Sequence, residues 1–196
     1  MRDMALLPRS LGTLFYYSPD DERVQALLPE WRLLMESYQW AESERAEVLI
    51  SEMEAQLASL NKYTHSRLFE GQGEMVAPPW GSVYLNKDNI VMGDSTAAYY
   101  CFLDRMGIDF QIHNQPLDQF GLMLFVLAHL MEEGDTAGTV EHLSIHLLPW
   151  CQRYLALLGQ NEESPFYATL AQLTSLFIAQ IQSEMSLVVD PVPLFK

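Results

Sequence analysis

The stretch from Phe120 to Met131 constrains this chain more than any other, because only Gly121 and His129 interrupt its apolar side chains. A helix that is hydrophobic all round has no face to give to water and must be packed on several sides. The stretch is therefore expected at the middle of a helical bundle, with His129 as a core histidine holding one hydrogen-bond partner. No apolar run approaches the roughly 20 residues needed to cross a bilayer.

Helical periodicity runs through the rest of the chain. Leu49, Met53, Leu57 and Leu60 step by four, four and three, which puts them on one face of a helix opening near Ser43 and Glu44. Leu170, Leu173, Phe177 and Ile181 do the same late in the chain, behind a Ser164 N-cap with Pro165 in the first turn. Further helices are expected over 4–17, over 22–28 and 30–38 on either side of Pro29, and from Asp94 or Ser95 to Met106, where Gly107 ends it. Asp135 or Thr136 starts another, interrupted at Pro149. One stretch departs from the pattern. Residues 71–93 hold Gly71, Gly73, Pro78, Pro79, Gly81 and Gly93, with Val83-Tyr84-Leu85 and Ile90-Val91-Met92 able to form a small hairpin or an ordered loop. The fold class that follows is all-α, a single-domain helical bundle over 1–196 with one long ordered loop.

Charge narrows the partners. Eleven Lys and Arg stand against 26 Asp and Glu, a formal net charge of −15, which would repel a nucleic-acid backbone and attract a basic peptide. Hydrophobic residues at 49% and charged residues at 19% are a globular composition. The first eleven residues do not read as a secretory signal, and Cys101 and Cys151, far apart in sequence, read as buried thiols of a reducing compartment. The chain is expected to be cytoplasmic, without stable membrane insertion.

Motifs of catalysis are missing: the sequence has no GxSxG elbow, no HExxH and no P-loop. Gly71-Gln72-Gly73 lacks the third glycine of a dinucleotide site. His142 and His146 are spaced i, i+4 but lack a third ligand at motif spacing, so they read as half-buried or surface histidines and no metal or cofactor is expected. Two segments look selected for more than packing. In Ala77-Pro78-Pro79-Trp80-Gly81-Ser82, two prolines stiffen the backbone beside a large amphipathic ring. In the segment from Asn114 to Gly121, Asp118 follows a proline turn and is placed to cap the apolar helix.

These segments stand in a longer series. It begins with Leu11-Gly12-Thr13-Leu14-Phe15-Tyr16-Tyr17, Arg67-Leu68-Phe69, Pro78-Pro79-Trp80-Gly81-Ser82-Val83 and Gly93-Asp94-Ser95-Thr96. It ends with Pro116-x-Asp118-x-Phe120-Gly121, His146-Leu147-x-Pro149-Trp150, Pro165-Phe166-Tyr167 and Pro193-Leu194-Phe195. In that order they resemble the TorD/DmsD family of redox-enzyme maturation chaperones, most closely its DmsD branch, across nearly the whole chain. The resemblance implies an all-α fold, no cofactor and no enzymatic activity. It implies binding of the twin-arginine signal peptide of a molybdenum-cofactor oxidoreductase subunit of the dimethyl sulfoxide reductase type, delaying export until the cofactor is inserted. The twin-arginine translocase is then a transient second partner.

The signal-binding residues implied by the resemblance are Leu68, Phe69, Pro78, Pro79, Trp80, Gly81, Ser82, Pro116, Asp118, Gln119 and Phe120. The family motif at the central helix reads Glu-Pro-x-Asp-His, whereas here Gln115 precedes the proline and Gln119 follows Asp118; His65 stands where close relatives carry a tryptophan. The physics of such a ligand agrees: a carboxylate for a guanidinium at Asp118, and an apolar groove of Trp80, Leu68 and Phe69. The alternative expectation is a maturation scaffold that binds the mature body of its client.

Overall fold

The computed structural model describes residues 5–112 and 115–196, so the expectations touching Met4 and Asn114 lie outside the described residues. The helices are α1 (Leu6–Tyr16), α2 (Glu22–Leu27), α3 (Trp31–Ser37), α4 (Ser43–Gln56), α5 (Lys62–Phe69), α6 (Gly81–Leu85), α7 (Asp94–Arg105), α8 (Phe120–Glu133), α9 (Thr136–Glu141), α10 (Leu148–Leu158) and α11 (Pro165–Glu184). A 3-10 turn follows α4, and a π-helical segment, His142–Leu147, joins α9 to α10. Among the described residues there is no strand, only one isolated bridge between Trp80 and Gln119. The all-α expectation holds.

The chain forms two compact units, each assembled from separated segments. The first comprises Met1–Gly12, Pro79–Cys151 and Leu187–Lys196; the second comprises Thr13–Pro78 and Gln152–Ser186. Two of the four boundaries fall inside helices, α1 and α10.

In the second unit α11 packs along α4. Ala46, Leu49, Ile50 and Met53 are the buried face of α4, while Leu57 falls in the 3-10 turn and is only half-buried. Ser164 caps α11 as expected, accepting from Tyr167 N at 3.3 Å, with Pro165 as the first helical residue. An aromatic cluster closes the core: Phe69 lies 4.8 Å from Tyr167, 4.9 Å from His65 and 5.9 Å from Phe15, ring centre to ring centre.

In the first unit α8 is central. Ten of its residues are buried, from Phe120 to Met131. His129 is not among them: it is exposed, correcting its expected place in the core. The physical reason is a single strip at helical spacing, Phe125, His129, Glu132 and Glu133, which is not buried. Glu132 on that strip takes Arg9 in two contacts of 3.1 and 2.6 Å. A second correction concerns the helix start. Gln119, not Asp118, caps α8, its Oε1 accepting from Leu122 N at 3.0 Å. Gly134, with φ 72°, ends the helix in the left-handed conformation that glycine adopts without penalty.

No hairpin forms between residues 81 and 92. Val83, Tyr84 and Leu85 lie on α6, and Asn89 Nδ2 donates to the Val83 carbonyl to hold the turn that follows. The interruption at Pro149 takes the form of the π segment. A proline ring clashes with the carbonyl four residues back, and a wider turn before it relieves that clash. Of the two cysteines, Cys151 is buried and Cys101 is exposed, which corrects the pairing of both as buried thiols.

Trp150 anchors this unit. Its ring is 1% exposed, stacks on Tyr84 at 5.4 Å, and donates from Nε1 to the His146 carbonyl at 2.8 Å. Gly81 faces it so closely that an added Cβ would sit 2.7 Å from Nε1 and 2.8 Å from Cε2. Overpacking of this kind costs roughly 1–3 kcal/mol. Gly81→Ala is therefore expected to lower the melting temperature by about 2–12 °C at this chain length. A melt identical to the wild type would mean that the indole is free to move aside.

Candidate functional site

The site begins with how the proline–tryptophan loop is tied to the start of α8. Phe120 N donates to the Pro79 carbonyl at 2.8 Å, and Gly81 N donates to the Asp118 carbonyl at 3.1 Å. Ser82 N, in the first turn of α6, donates to Asp118 Oδ2 at 2.8 Å, and Thr96 Oγ1 of α7 donates to the same oxygen at 3.1 Å. Asp118 thus joins two helices that lie 36 and 22 residues away in sequence. Its side chain is 4% exposed. The other oxygen, Oδ1, is buried and has no hydrogen-bond partner. Buried acceptors are nearly always paired, and no protein donor of the fold pairs this one.

Beside it lies a cavity of about 90 Å³. Asp118, Ser82, Tyr99, His146, Trp150 and Met123 are among its lining residues. Tyr99 is 1% exposed, and its hydroxyl is buried without a partner. Burial first, and the Asp118 charge second, push its phenol well above the usual tyrosine range. His146 is held below the ordinary imidazole value, chiefly by burial, with Arg105 adding to the effect and Glu141 opposing it. Arg105 itself is paired with Glu141. The hollow therefore offers acceptors and apolar wall, a chemistry suited to a cation that brings its own hydrogens.

The residues expected to bind divide between the two units. In the first, Gly81, Ser82 and Asp118 line the cavity. Pro79, Pro116, Gln119 and Phe120 are buried but are not among its lining residues, Phe120 standing edge-on to Trp150 at 6.0 Å. Trp80 is half-exposed with Nε1 buried and unpartnered, and it is not among the cavity's lining residues. In the second unit Pro78 is buried and Phe69 belongs to the aromatic core. Leu68 lines a separate cavity of about 330 Å³ together with Met75, Val76, Glu74 and Glu163. Three residues at this corner were not singled out from sequence: Thr96, which bonds Asp118, and Tyr99 and His146, which line the cavity. Thr96, Tyr99 and Phe102 step by three along the buried face of α7, a spacing that marks Thr96 and Tyr99 as core positions and carries no signal of a site.

His142, on the π segment, is wholly buried and its Nε2 lies 3.0 Å from the Met123 carbonyl of α8. It is neither half-buried nor at the surface, as the sequence had suggested. Among the described residues no three His, Cys, Asp or Glu side chains are grouped to hold a metal ion, and no helix is long and apolar enough to cross a membrane.

The family profile described as nitrate reductase delta subunit matches residues 20–156. A relative from Salmonella typhi named Tat proofreading chaperone DmsD is 37% identical, with 99% of this chain and 96% of the relative aligned. One from Haemophilus influenzae, named probable Tat proofreading chaperone DmsD, is 32% identical over 100% of this chain and 98% of its own length. The chaperone protein YcdY of Escherichia coli is 28% identical over 94% and 97%. These matches define a class, the helical maturation chaperones. The chain belongs to the TorD/DmsD family within it.

Burial holds the His142 imidazole down at about 3, with His146 adding to the effect and the Met123 carbonyl opposing it. Burial likewise holds His65 at about 4, against the pull of Glu70. A lowered folded-state value means the unfolded chain takes up the proton first as pH falls below about 6.5. Stability is then lost downward from that point, by on the order of 2 kcal/mol per buried imidazole between pH 7 and pH 5. Urea unfolding at the two pH values should show this loss, and His142→Gln should remove about half of it. A midpoint that does not move between them would contradict the burial of both rings as neutral groups.

Proposed function

We propose that this chain is a chaperone, and not an enzyme, that binds the twin-arginine signal peptide of a molybdenum-cofactor oxidoreductase subunit of the dimethyl sulfoxide reductase type. It acts in the cytoplasm and delays export until the cofactor is in place, with the twin-arginine translocase as a transient second partner. The observation that carries the reading is the buried Asp118 carboxylate, one oxygen committed to Ser82 and Thr96 and the other open beside a cavity. Membership of the TorD/DmsD family, and relatives named Tat proofreading chaperones, support it.

A signal of this kind brings guanidinium groups and an apolar stretch. Asp118 accepts a guanidinium in a charge-assisted bond that is stronger away from water. Pro79, Gly81, Ser82, Pro116, Gln119 and Phe120 hold the carboxylate and its cavity in shape, and the half-exposed face of Trp80 is offered to apolar side chains. Leu68 and its cavity, with Glu74 and Glu163 at hand, are suited to apolar residues with cations beside them, while Phe69 and Pro78, buried next to Leu68 and Ala77 in the chain, take an indirect part. The net charge of −15 raises the encounter rate with a cationic peptide.

Asp118→Asn is the informative variant, since an amide oxygen can still accept from Ser82 N and Thr96 while its NH2 repels a cation. Calorimetric titration with a twin-arginine signal peptide should show affinity falling by about 2 kcal/mol, close to 30-fold, and falling further at higher salt. Wild-type affinity in Asp118→Asn would refute the assignment. Capture of a client that lacks its signal, as strong as capture of the intact client, would instead favour a scaffold for the mature body.

A further inference from the structure

The cavity beside Asp118 carries more than one acceptor, and the others are not signal-binding residues by any family motif quoted above. Tyr99 presents a buried hydroxyl without a partner. His146 presents an imidazole whose own backbone carbonyl is already used by Trp150 Nε1. Three donors nearby are already committed. Ser82 N and Thr96 Oγ1 are committed to Asp118 Oδ2, and Trp150 Nε1 to the His146 carbonyl. Apart from Gly81 and the Ser82 and Ser95 hydroxyls, the remaining wall is apolar, formed by Leu85, Ala98, Met123 and Ile145 with the Trp150 ring. A space of about 90 Å³ far exceeds the roughly 10–15 Å³ that one water needs, and suits a planar group of a few heavy atoms. The π segment that supplies Ile145 and His146 is the kind of helix irregularity found at functional sites.

We infer that this cavity is a receptor for a single guanidinium, read jointly by Asp118 Oδ1, the Tyr99 hydroxyl and the His146 imidazole, so that it discriminates arginine from lysine. The inference rests on the reading of the chain as a binder of twin-arginine signals and adds which residues set the selectivity. A guanidinium is planar, weakly hydrated and forked, so it can satisfy two or three acceptors in one plane and leave its faces to aromatic rings. An ammonium is a compact, strongly hydrated charge that would have to be stripped of water to enter an apolar-walled pocket. Tyr99 and His146 therefore select the cation, while Asp118 supplies the charge.

The experiment is calorimetric titration of the full chain with a synthetic twin-arginine signal peptide and with two peptides in which one or the other arginine is lysine. The wild type should prefer arginine at one of the two positions by about tenfold. In Tyr99→Phe that preference should shrink to about threefold or less, with a melting temperature equal to or above that of the wild type, because only an unpartnered hydroxyl is removed. His146→Leu should shrink it likewise. Full arginine preference retained in Tyr99→Phe would overturn the inference. A second measurement needs no variant: N-ethylguanidinium should shift the Met123 and Ile145 methyl resonances of the wild-type chain saturably, and ethylammonium should not. Equal shifts, or none, would overturn the inference even if the peptides bind. Shifts with N-ethylguanidinium but no binding of any peptide would uphold the pocket and reject the signal-peptide reading.

Discussion

A buried carboxylate can be tolerated only where the fold supplies hydrogens to it, and Asp118 is where the first unit of this chain makes that provision. Ser82 N and Thr96 Oγ1 converge on one oxygen from two helices, and the backbone bonds of Pro79, Gly81 and Phe120 close the same corner. Remove the carboxylate and the α6 amide and the Thr96 hydroxyl lose their shared acceptor. The arrangement satisfies half of the charged group. The unsatisfied half is what gives the corner a use, since a buried acceptor left open is paired most favourably by a cation carried in from outside.

The surface supports the same economy of charge. The few cations are largely occupied in pairs near the surface, such as Arg9 with Glu132, Arg67 with Glu163 and Arg32 with Glu36. Exposed pairs of this type contribute little to stability. Their consequence is different: they leave the carboxylate excess to dominate the field that an approaching peptide meets. The selective step then belongs to the cavity, where water is displaced and an open acceptor counts for more than it would in solvent.

Much of the helical skeleton was legible from residue spacing. Ser164 and Pro165 placed the start of α11, the Leu49 and Met53 spacing placed the buried face of α4, and the apolar run placed α8 at the centre. The errors share a cause. Hydropathy counted α8 as apolar all round, yet the Phe125, His129, Glu132 and Glu133 strip shows that one polar residue at helical spacing can mark an unburied line. Local capping rules favoured Asp118, but its Oδ2 is taken by partners 36 and 22 residues away, and Gln119 moves into the cap. Tyr99 was invisible as a site residue because an aromatic on the buried face of a helix reads as core. Only its place in the cavity wall and its unpartnered hydroxyl distinguish it.

The account stands or falls on what meets Asp118 Oδ1 when a ligand is present. A crystal structure of the chain with a twin-arginine signal peptide reads this directly. It is expected to show a guanidinium nitrogen within hydrogen-bond distance of Oδ1 while Oδ2 keeps its bonds to Ser82 and Thr96. A peptide bound with its arginines elsewhere and Oδ1 still unpaired would contradict it.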